Sequence, residues 1–324
     1  MKHDPQVWSL ALKSLDAGVP VALLYVVESL GSSPGRAGFA MTVTATQASG
    51  SIGGGAMEHR FVAQARQALT DKRPAFLQRQ VHDAKAAEDA SGMICSGEQT
   101  FWLGILDSGD RTAVSRIAAN TISGVLRLGP RGLSFDPATA LPYRQKFEGG
   151  ADWTYQEDLG HRDKLHLVGG GHCSLALSRL AETLDFEITV YDDRPQLPTF
   201  EANVWAHHKV LVADYSVMGT LINPGEEQFV CVMTFGYKTD DVALRVLMPH
   251  DFGFLGALGS RSKIDKLMAA YSAEGFDPRW LRRIHAPLGL PIHSQTPAEI
   301  AVSIAAQLIR TRNELTPPLP RSPA

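Results

Sequence analysis

The sequence lacks the features that mark membrane, secreted and nucleic-acid-binding proteins. No apolar run approaches the roughly 20 residues that span a bilayer, and the first residues lack the apolar stretch of a signal peptide. Basic and acidic residues number 31 and 34, so the net charge is -3 and there is no basic field for nucleic acid. These absences predict a cytoplasmic protein that binds neither nucleic acid nor membrane.

Cysteine is also scarce. Cys95, Cys173 and Cys231 are far apart and form no CxxC pair, so neither a disulfide framework nor a cysteine-rich zinc site is indicated. The motifs of P-loop ATPases, GxSxG esterases, HExxH peptidases and EF-hands are absent as well. Cys173 and Cys231 are interpreted as structural. Cys95 lies in a glycine-flanked loop, where its thiolate could contact a soft metal; an inert thiol is the alternative.

The patterns that are present indicate two domains in the 324 residues. An apolar-faced helix after Asp4, a strand from Val19 and a helix after Gly55 predict a mixed α/β domain in the first half. The composition shifts to Pro, Gly, Asp and Arg over 129–164, which predicts an interdomain connection. Beyond it, short apolar strands alternate with helices, the pattern of a Rossmann-like parallel sheet. The predicted division is an N-terminal domain over 1–150, a C-terminal domain over 151–315 and a disordered tail over 316–324.

The clearest motif is LHLVGGGHCSLA, in which a strand passes through a glycine turn into a helix. Gly169 would allow the tight turn, and Gly171 would let the backbone approach a phosphate that the helix start binds through its N–H groups. Ser174 stands where the dinucleotide fingerprint has a third glycine. Asp192, at the end of the next strand, is the predicted acceptor for a ribose hydroxyl, with Asp193 as the second choice. The alternative is that the glycines only turn the chain.

Other polar residues lie beside glycine turns. His172 follows Gly171, where a phosphate or a metal would sit; a capping or surface histidine is the alternative. Arg261 and Lys263 before a later helix are interpreted as a solvated basic face; an anion-binding helix start is the alternative. A second cradle for an anion or cofactor is predicted at a glycine turn with two charged residues: Gly53, Gly54, Gly55, Glu58 and Arg36. Its alternative is a tight turn with a surface arginine and a glutamate that complements the helix dipole.

The chain resembles the xanthine dehydrogenase accessory protein family, which includes accessory proteins of carbon monoxide dehydrogenase. The resemblance runs from about residue 5 to 312. It is carried, in the family's order, by the blocks GSSPGRAGFAM, GSIGGGAMEH, GMICSGE, LVGGGHCSLAL followed by YDDRP, GALGSRSK, and APLGLPIHSQTPAEIAVSIAAQ. It implies an N-terminal domain particular to the family, a C-terminal Rossmann domain, a homodimer, and binding of the molybdenum cofactor in its molybdopterin form.

The resemblance also implies a function. The family protects this cofactor, supports replacement of an oxo ligand by sulfur with a cysteine desulfurase, and assists insertion into apo-xanthine dehydrogenase or a related molybdenum hydroxylase. A chaperone rather than an enzyme is therefore expected.

The family's GxxCGG-like block matches GMICSG, with Ser96 where a glycine is common. The resemblance therefore implies that Cys95 lies near molybdenum, as a ligand or as a transient sulfur-contacting group. The glycine turns and Arg36 are expected to hold the pterin phosphate or pyrophosphate. Ala56 stands where many members carry a cysteine, and the run from Thr234 to Tyr237 replaces the family's TH-x-H block.

Two other classes of function stay open on the residues alone. An NAD(P)-dependent oxidoreductase would use the Rossmann turn and Asp192, although no acid or base for hydride transfer is evident beside a partner. A scaffold that docks two proteins would hold no cofactor. A separate nucleotide at the Rossmann turn is compatible with the chaperone as well as with the oxidoreductase.

Overall fold

The computed structural model describes residues 4–82, 97–119, 124–137, 139, 141, 144–160 and 162–315. Its contacts divide the chain into two compact units, of which the second begins at Arg162. The sequence placed the division after residue 150. Strand Thr154–Asp158 nevertheless pairs with Val125–Gly129 of the first unit, and this pairing holds residues 154–158 in that unit.

The first unit is a mixed α/β unit, as predicted. In chain order, its described elements are α1 (Pro5–Asp16), β1 (Val21–Gly31), β2 (Ala40–Val43), β3 (Ala48–Gly50), α2 (Gly55–Asp71), β4 (Phe76–His82), β5 (Gly97–Leu106), α3 (Arg111–Ala118), β6 (Val125–Gly129), β7 (Gly132–Asp136), β8 (Gln145–Glu148) and β9 (Thr154–Asp158). They form an antiparallel sheet in the order β3-β2-β1-β5-β4 and a second one in the order β7-β6-β9-β8.

Helix α1 forms where its sequence predicts it. Asp4 caps the helix by accepting a hydrogen bond from the backbone N–H of Gln6 at 2.9 Å, and Pro5 takes the first helical position. The apolar face of the helix is buried in the core of the unit through Val7, Trp8, Ala11 and Leu15. The helix therefore serves packing, as expected.

The interdomain connection predicted over 129–164 is wrong, because most of this stretch builds the second sheet of the first unit. Strands β7, β8 and β9 have only four or five residues each. So short a strand has two or three inward positions, which is too few for a visible apolar alternation. Phe135 and Tyr155 are such inward residues and lie in the core.

Buried polar contacts join the two sheets of the first unit. The hydroxyl groups of Tyr25 on β1 and Tyr155 on β9 both donate to the buried Glu157 carboxylate, at 2.8 and 2.6 Å. Burial, with the charge of Glu157 added, raises the pKa of both tyrosines well above its usual range. The indole N–H of Trp102 also donates to the carbonyl oxygen of Gly129 at 3.2 Å.

The second unit is built on a parallel sheet. In chain order, its described elements are β10 (Asp163–Val168), α4 (His172–Thr183), β11 (Phe186–Asp192), α5 (Pro198–Glu201), β12 (His208–Leu211), α6 (Met218–Leu221), β13 (Gly225–Val232), α7 (Tyr237–Leu247), β14 (Phe252–Ala257), α8 (Arg261–Ala273), α9 (Pro278–Arg283), β15 (Ile284–His285) and α10 (Pro297–Leu315). The strand order is β12-β11-β10-β13-β14-β15, with every pair parallel. Counted within the unit this is 3-2-1-4-5-6, the order of a Rossmann fold, which confirms the predicted fold class.

Both faces of this sheet are covered. Alternate residues of β13 belong to different apolar clusters: Val230 and Val232 lie in one with α7 and α8, and Phe229 and Cys231 lie in the other with α4 and α10. Strands buried on both faces appear in sequence as continuous apolar runs, which is why the sequence predicted them well. In the part of the chain that the structure describes, no helix has the length and apolarity needed to cross a bilayer.

Candidate functional site

The parallel sheet has one point at which its strand order reverses, between β10 and β13. In open α/β sheets, ligands bind beyond the carboxyl ends of the strands at such a point. The turn that follows β10 is Gly169–Gly171, and the turn that follows β13 runs over 233–236. The sequence-predicted glycine motif therefore stands at the expected ligand crevice of the second unit.

The three glycines of this motif have different environments. Gly169 has a φ of +111°, its N–H donates to the Tyr191 carbonyl at 2.8 Å, and a Cβ there would lie 2.4 Å from the Met233 carbonyl oxygen. A Cβ on Gly170 would lie 2.8 Å from the Phe200 ring. Gly171 borders open space instead, with no atom within 4 Å of an added Cβ. Only at Gly171 is there room for a ligand to approach the backbone.

Helix α4 begins beside this open space without a side-chain cap, since its first flanking residue is Gly171. Ser174, the substitute for the third glycine, is buried and donates its hydroxyl to the Gly169 carbonyl oxygen, which closes the turn. His172 in the first turn is exposed. Cys173 is half-buried, and burial raises the pKa of its thiol, which opposes a reactive thiolate.

Asp192, the predicted ribose acceptor, is fully buried and its carboxylate is engaged by the protein. One oxygen accepts from the backbone N–H and the Nε–H of Arg194 at 2.9 and 2.8 Å; the other accepts from the N–H of Gly170 at 2.7 Å and from Nη2 of Arg194 at 2.8 Å. Burial opposes ionisation, but these hydrogen bonds prevail and the pKa of Asp192 is lowered. The group is therefore a charged brace between the glycine turn and Arg194.

Arg194 is a site residue that the sequence analysis missed. Its side chain remains 36 % exposed while it pairs with Asp192, and its guanidinium carbon lies 5.1 Å from the centre of the Phe235 ring. Phe235, in the turn after β13, is 66 % exposed. The signal was available in YDDRP, where an arginine follows the acidic strand end by two positions. Asp193, which is 22 % exposed, accepts from the Tyr215 hydroxyl at 3.3 Å.

Lys263 was interpreted from the sequence as part of a solvated basic face. In the structure it forms an ion pair with a buried carboxylate. Its ammonium group donates to the buried Asp240 carboxylate and to the Leu258 carbonyl oxygen, the latter at 3.1 Å. Asp240 also accepts from the backbone N–H of Thr234 at 3.0 Å. This pair fixes the turn after β13 against the start of α8, and the interpretation failed because a lysine facing a buried carboxylate looks the same in sequence as an exposed one.

In the first unit, three sequence blocks meet at closely packed glycines. A Cβ on Gly35 would lie 2.3 Å from the Ile52 carbonyl oxygen, and one on Gly53 would lie 2.9 Å from the Gly35 nitrogen. A Cβ on Gly97, the first residue of β5, would lie 2.5 Å from the backbone of Ser32 and Ser33. The loop over 31–38, the turn over 51–55 and the start of β5 are thus held backbone to backbone.

The second predicted cradle lies at this meeting point. Gly53, Gly54 and Gly55 all have positive φ, and α2 begins there without a side-chain cap. The Glu58 carboxylate accepts from the N–H of Gly54 and from the Ser51 hydroxyl. Arg36 is exposed and donates to the Gly31 carbonyl oxygen at 3.0 Å. Glu58 thus stabilises the turn through its own hydrogen bonds. The guanidinium of Arg36 stays at the surface of the neighbouring loop.

Cys95 falls outside the described residues. In sequence it stands two positions before Gly97, the glycine packed against Ser32 and Ser33. Within the described ranges, no three His, Cys, Asp or Glu side chains are grouped so that they could hold a metal ion.

Comparison with protein families gives two matches in separate parts of the chain. Residues 14–80 match the model described as the XdhC and CoxI family, and residues 165–308 match the model described as the XdhC Rossmann domain. The first match contains the turn over 51–55 and the loop over 31–38; the second contains the crevice of the parallel sheet.

The chain is also similar to individual curated proteins. The chain is 23% identical over 312 residues to uncharacterized protein YqeB of Escherichia coli, a match that covers 95% of this chain and 46% of the relative. It is 24% identical over 160 residues to a probable xanthine dehydrogenase subunit of Bacillus subtilis, covering 48% of this chain and 44% of that protein. The chain thus spans less than half the length of these two curated relatives.

A solved structure shares the fold. The crystal structure described as a xanthine dehydrogenase from Bacillus halodurans superposes with a TM-score of 0.66, covers 95% of this chain and 96% of its own, and is 21% identical in sequence.

Proposed function

Since the chain belongs to the XdhC and CoxI family, we propose that it is a maturation protein that binds the molybdenum cofactor in its molybdopterin form. It delivers the cofactor to apo-xanthine dehydrogenase or a related molybdenum hydroxylase and carries out no redox turnover itself. Together with a cysteine desulfurase, the protein supports replacement of an oxo ligand of the molybdenum by sulfur. The protein works in the cytoplasm as a homodimer.

The observation that carries this proposal is the meeting of the loop over 31–38, the turn over 51–55 and the start of β5. These segments are far apart in sequence, and three of their glycines have no room for a Cβ. Close backbone packing of this kind brings peptide N–H groups to one place without side chains between them, as anion binding requires. The block that contains Cys95 leads directly into Gly97 at this place.

The residues present suit the phosphate end of the cofactor. Arg36 offers an exposed guanidinium, and the uncapped start of α2 offers N–H groups and the positive end of a 17-residue helix dipole. Glu58 satisfies Gly54 and Ser51 internally, so its part is to hold the turn rather than to touch the pterin. When bound, the cofactor supplies the molybdenum centre on which the client oxidoreductase depends. Cys95 is the residue that we assign to contact with the metal.

The test replaces the thiol. Cys95→Ala is expected to lower the molybdenum retained by protein purified from a molybdenum-replete host, and to lower activation of the client apoenzyme in proportion. Cys173→Ala is the matched control, because it removes a half-buried thiol from the other unit. Undiminished molybdenum and activation in Cys95→Ala would refute the role of this cysteine.

A second measurement tests the proposal as a whole. Mass spectrometry of small molecules released from the purified protein is expected to detect molybdopterin. Catalytic oxidation of a substrate by the pure protein alone would support the NAD(P)-dependent oxidoreductase instead. Absence of any released cofactor, together with binding of both the apoenzyme and the cysteine desulfurase, would support a scaffold that docks two proteins.

A further inference from the structure

We propose that the crevice of the second unit selects adenine nucleotides that carry a phosphate on the ribose 2′ position, such as NADP, over those with a free 2′ hydroxyl, such as NAD. This is binding by the Rossmann unit itself and does not depend on the molybdenum cofactor. The residues that determine this preference are Asp192, Arg194 and Phe235.

The first step is the saturation of Asp192. A carboxylate has about four lone-pair positions for hydrogen bonds. The two oxygens of Asp192 accept four hydrogen bonds from Arg194 and Gly170, and the residue is 0% exposed. In NAD-binding Rossmann folds, an acidic residue at this strand end accepts from the free ribose hydroxyl. Here the Asp192 carboxylate already accepts its hydrogen bonds from the protein. It therefore cannot accept one from a free 2′ hydroxyl.

The second step is the donor that replaces it. A guanidinium has five N–H groups, and Asp192 engages only Nε–H and one N–H of Nη2. Among the described residues, Arg194 gives its other side-chain N–H groups to no hydrogen-bond acceptor, and more than a third of its side chain is exposed. Asp192 fixes the plane of this fork in advance, which reduces the entropy lost on binding. A phosphate is the group that such a planar fork binds best.

The third step is a surface for the base. Phe235 is a large apolar side chain left 66 % exposed beside the carboxyl edge of the sheet, and it packs against Arg194. An aromatic ring and a guanidinium are both flat surfaces on which a purine ring stacks, and the exposed part of this pair is suited to the adenine base. Next in the chain to Gly170, which donates to Asp192, Gly171 and the uncapped start of α4 leave open space for the pyrophosphate.

One neighbouring charge works against the phosphate. The Asp193 carboxylate oxygen lies 3.8 Å from Nε of Arg194 and accepts from Tyr215. Its negative charge makes the electrostatic potential at the Arg194 guanidinium less positive, but it accepts no hydrogen bond from the remaining N–H groups. This residue therefore gives a sensitive test, because Asp193→Asn removes the charge and keeps an oxygen that Tyr215 can still reach.

The test is titration calorimetry on the full chain with NADP, NAD, 2′,5′-ADP, 5′-AMP and inorganic phosphate at one ionic strength. Charge-assisted hydrogen bonds to a phosphate predict that NADP binds at least about tenfold more tightly than NAD, and 2′,5′-ADP more tightly than 5′-AMP. Asp193→Asn is expected to tighten NADP binding several-fold and to leave NAD unchanged. Equal dissociation constants for NADP and NAD, binding of neither, or competition by inorganic phosphate as strong as by 2′,5′-ADP would each overturn the proposal.

Arg194→Ala is expected to bring the dissociation constant of NADP to that of NAD. Because this change leaves a buried carboxylate without its main partner, folding is checked by circular dichroism, and the conclusion rests on Asp193→Asn if the variant does not fold. Arg179→Ala is the matched control, since Arg179 is an arginine of the same unit whose guanidinium lies 5.8 Å from the Trp205 ring. Loss of discrimination in this control would contradict the assignment.

Discussion

Glu58 and Asp192 hold the two glycine turns in the same way. Each carboxylate accepts a hydrogen bond from the backbone N–H of the middle glycine of its turn, Gly54 in one unit and Gly170 in the other. A tight glycine turn leaves N–H groups exposed to an alternative partner, and an internal carboxylate fixes one of them. We infer that both acidic residues shape their turns and that ligand contacts fall to the remaining N–H groups and the nearby arginine.

The same substitution is expected to destabilise the protein by different amounts at two glycines of the Rossmann turn. Gly169→Ala would place a Cβ against the Met233 carbonyl at a φ of +111°, so it is expected to lower the free energy of unfolding by about 2 kcal/mol or more. Gly171→Ala adds its Cβ to open space at a φ of -70° and is expected to cost less than about 1 kcal/mol. The measurement is chemical denaturation of both variants.

Although Gly171→Ala is expected to change stability little, it is expected to weaken nucleotide binding. Gly171→Ala narrows the approach to the start of α4, so a dissociation constant raised by about tenfold is expected for NADP while stability stays near that of the parent. Unchanged affinity in this variant would show that the nucleotide does not approach the turn.

At the level of elements, helix α10 shows local sequence deciding a boundary. Thr296 accepts from the backbone N–H of Glu299 at 3.3 Å, and the Glu299 carboxylate accepts from the N–H groups of Thr296 and Gln295 at 3.1 and 2.7 Å. This reciprocal arrangement is the capping box that the spacing predicts. Pro297 occupies the first helical position, which its fixed φ and missing N–H suit.

The capping box predicts a pH dependence. The hydrogen bonds from Gln295 and Thr296 lower the pKa of Glu299, so the folded state favours its charged form. Its contribution to stability is present above the carboxyl's usual pKa and is lost as the pH falls through the lowered value. Denaturation midpoints of the parent and of Glu299→Gln are therefore expected to differ at neutral pH and to converge in acid. A difference that stays constant down to low pH would contradict this.

The elements that sequence missed share one physical cause. Strand β4 (Phe76–His82) lies in a polar stretch and is recognised only through its pairing with β5, and the strands of the second sheet are too short to display a period. Antiparallel strands with one face in a small core need few apolar residues. The central parallel strands of the second unit, β10, β11, β13 and β14, are buried over most of their residues, and their apolar runs predicted short strands at these places.

For the whole molecule, the two candidate sites lie in different units. The glycine cradle with Arg36 belongs to the first unit, and the crevice with Arg194 belongs to the second, which begins at Arg162. The sites proposed for the cofactor and for the nucleotide therefore rest on residues of different units. Each unit also has its own buried apolar clusters.

Hydrogen exchange followed by mass spectrometry tests this division. NADP is expected to slow exchange around Gly171 and in the turn over 233–236, because ligand binding stabilises the segments that it contacts. Molybdopterin is expected to slow exchange over 31–38 and 51–57. Protection of the segment around Gly171 by molybdopterin would mean that the Rossmann crevice holds the pterin, and it would overturn the assignment of the first unit.

The features that depend on neighbours along the chain can be predicted from the residues alone. These are the helix starts with their caps, the glycine turn before α4, the apolar parallel strands and the order of the family's blocks, because capping, turn geometry and two-sided burial each leave a local pattern. The partners of the buried polar groups, in contrast, are evident only in the folded protein. The engagement of Asp192 by Arg194, the pairing of Lys263 with Asp240 and the packing of Gly35 and Gly97 depend on distances between atoms that the chain brings together only when it folds.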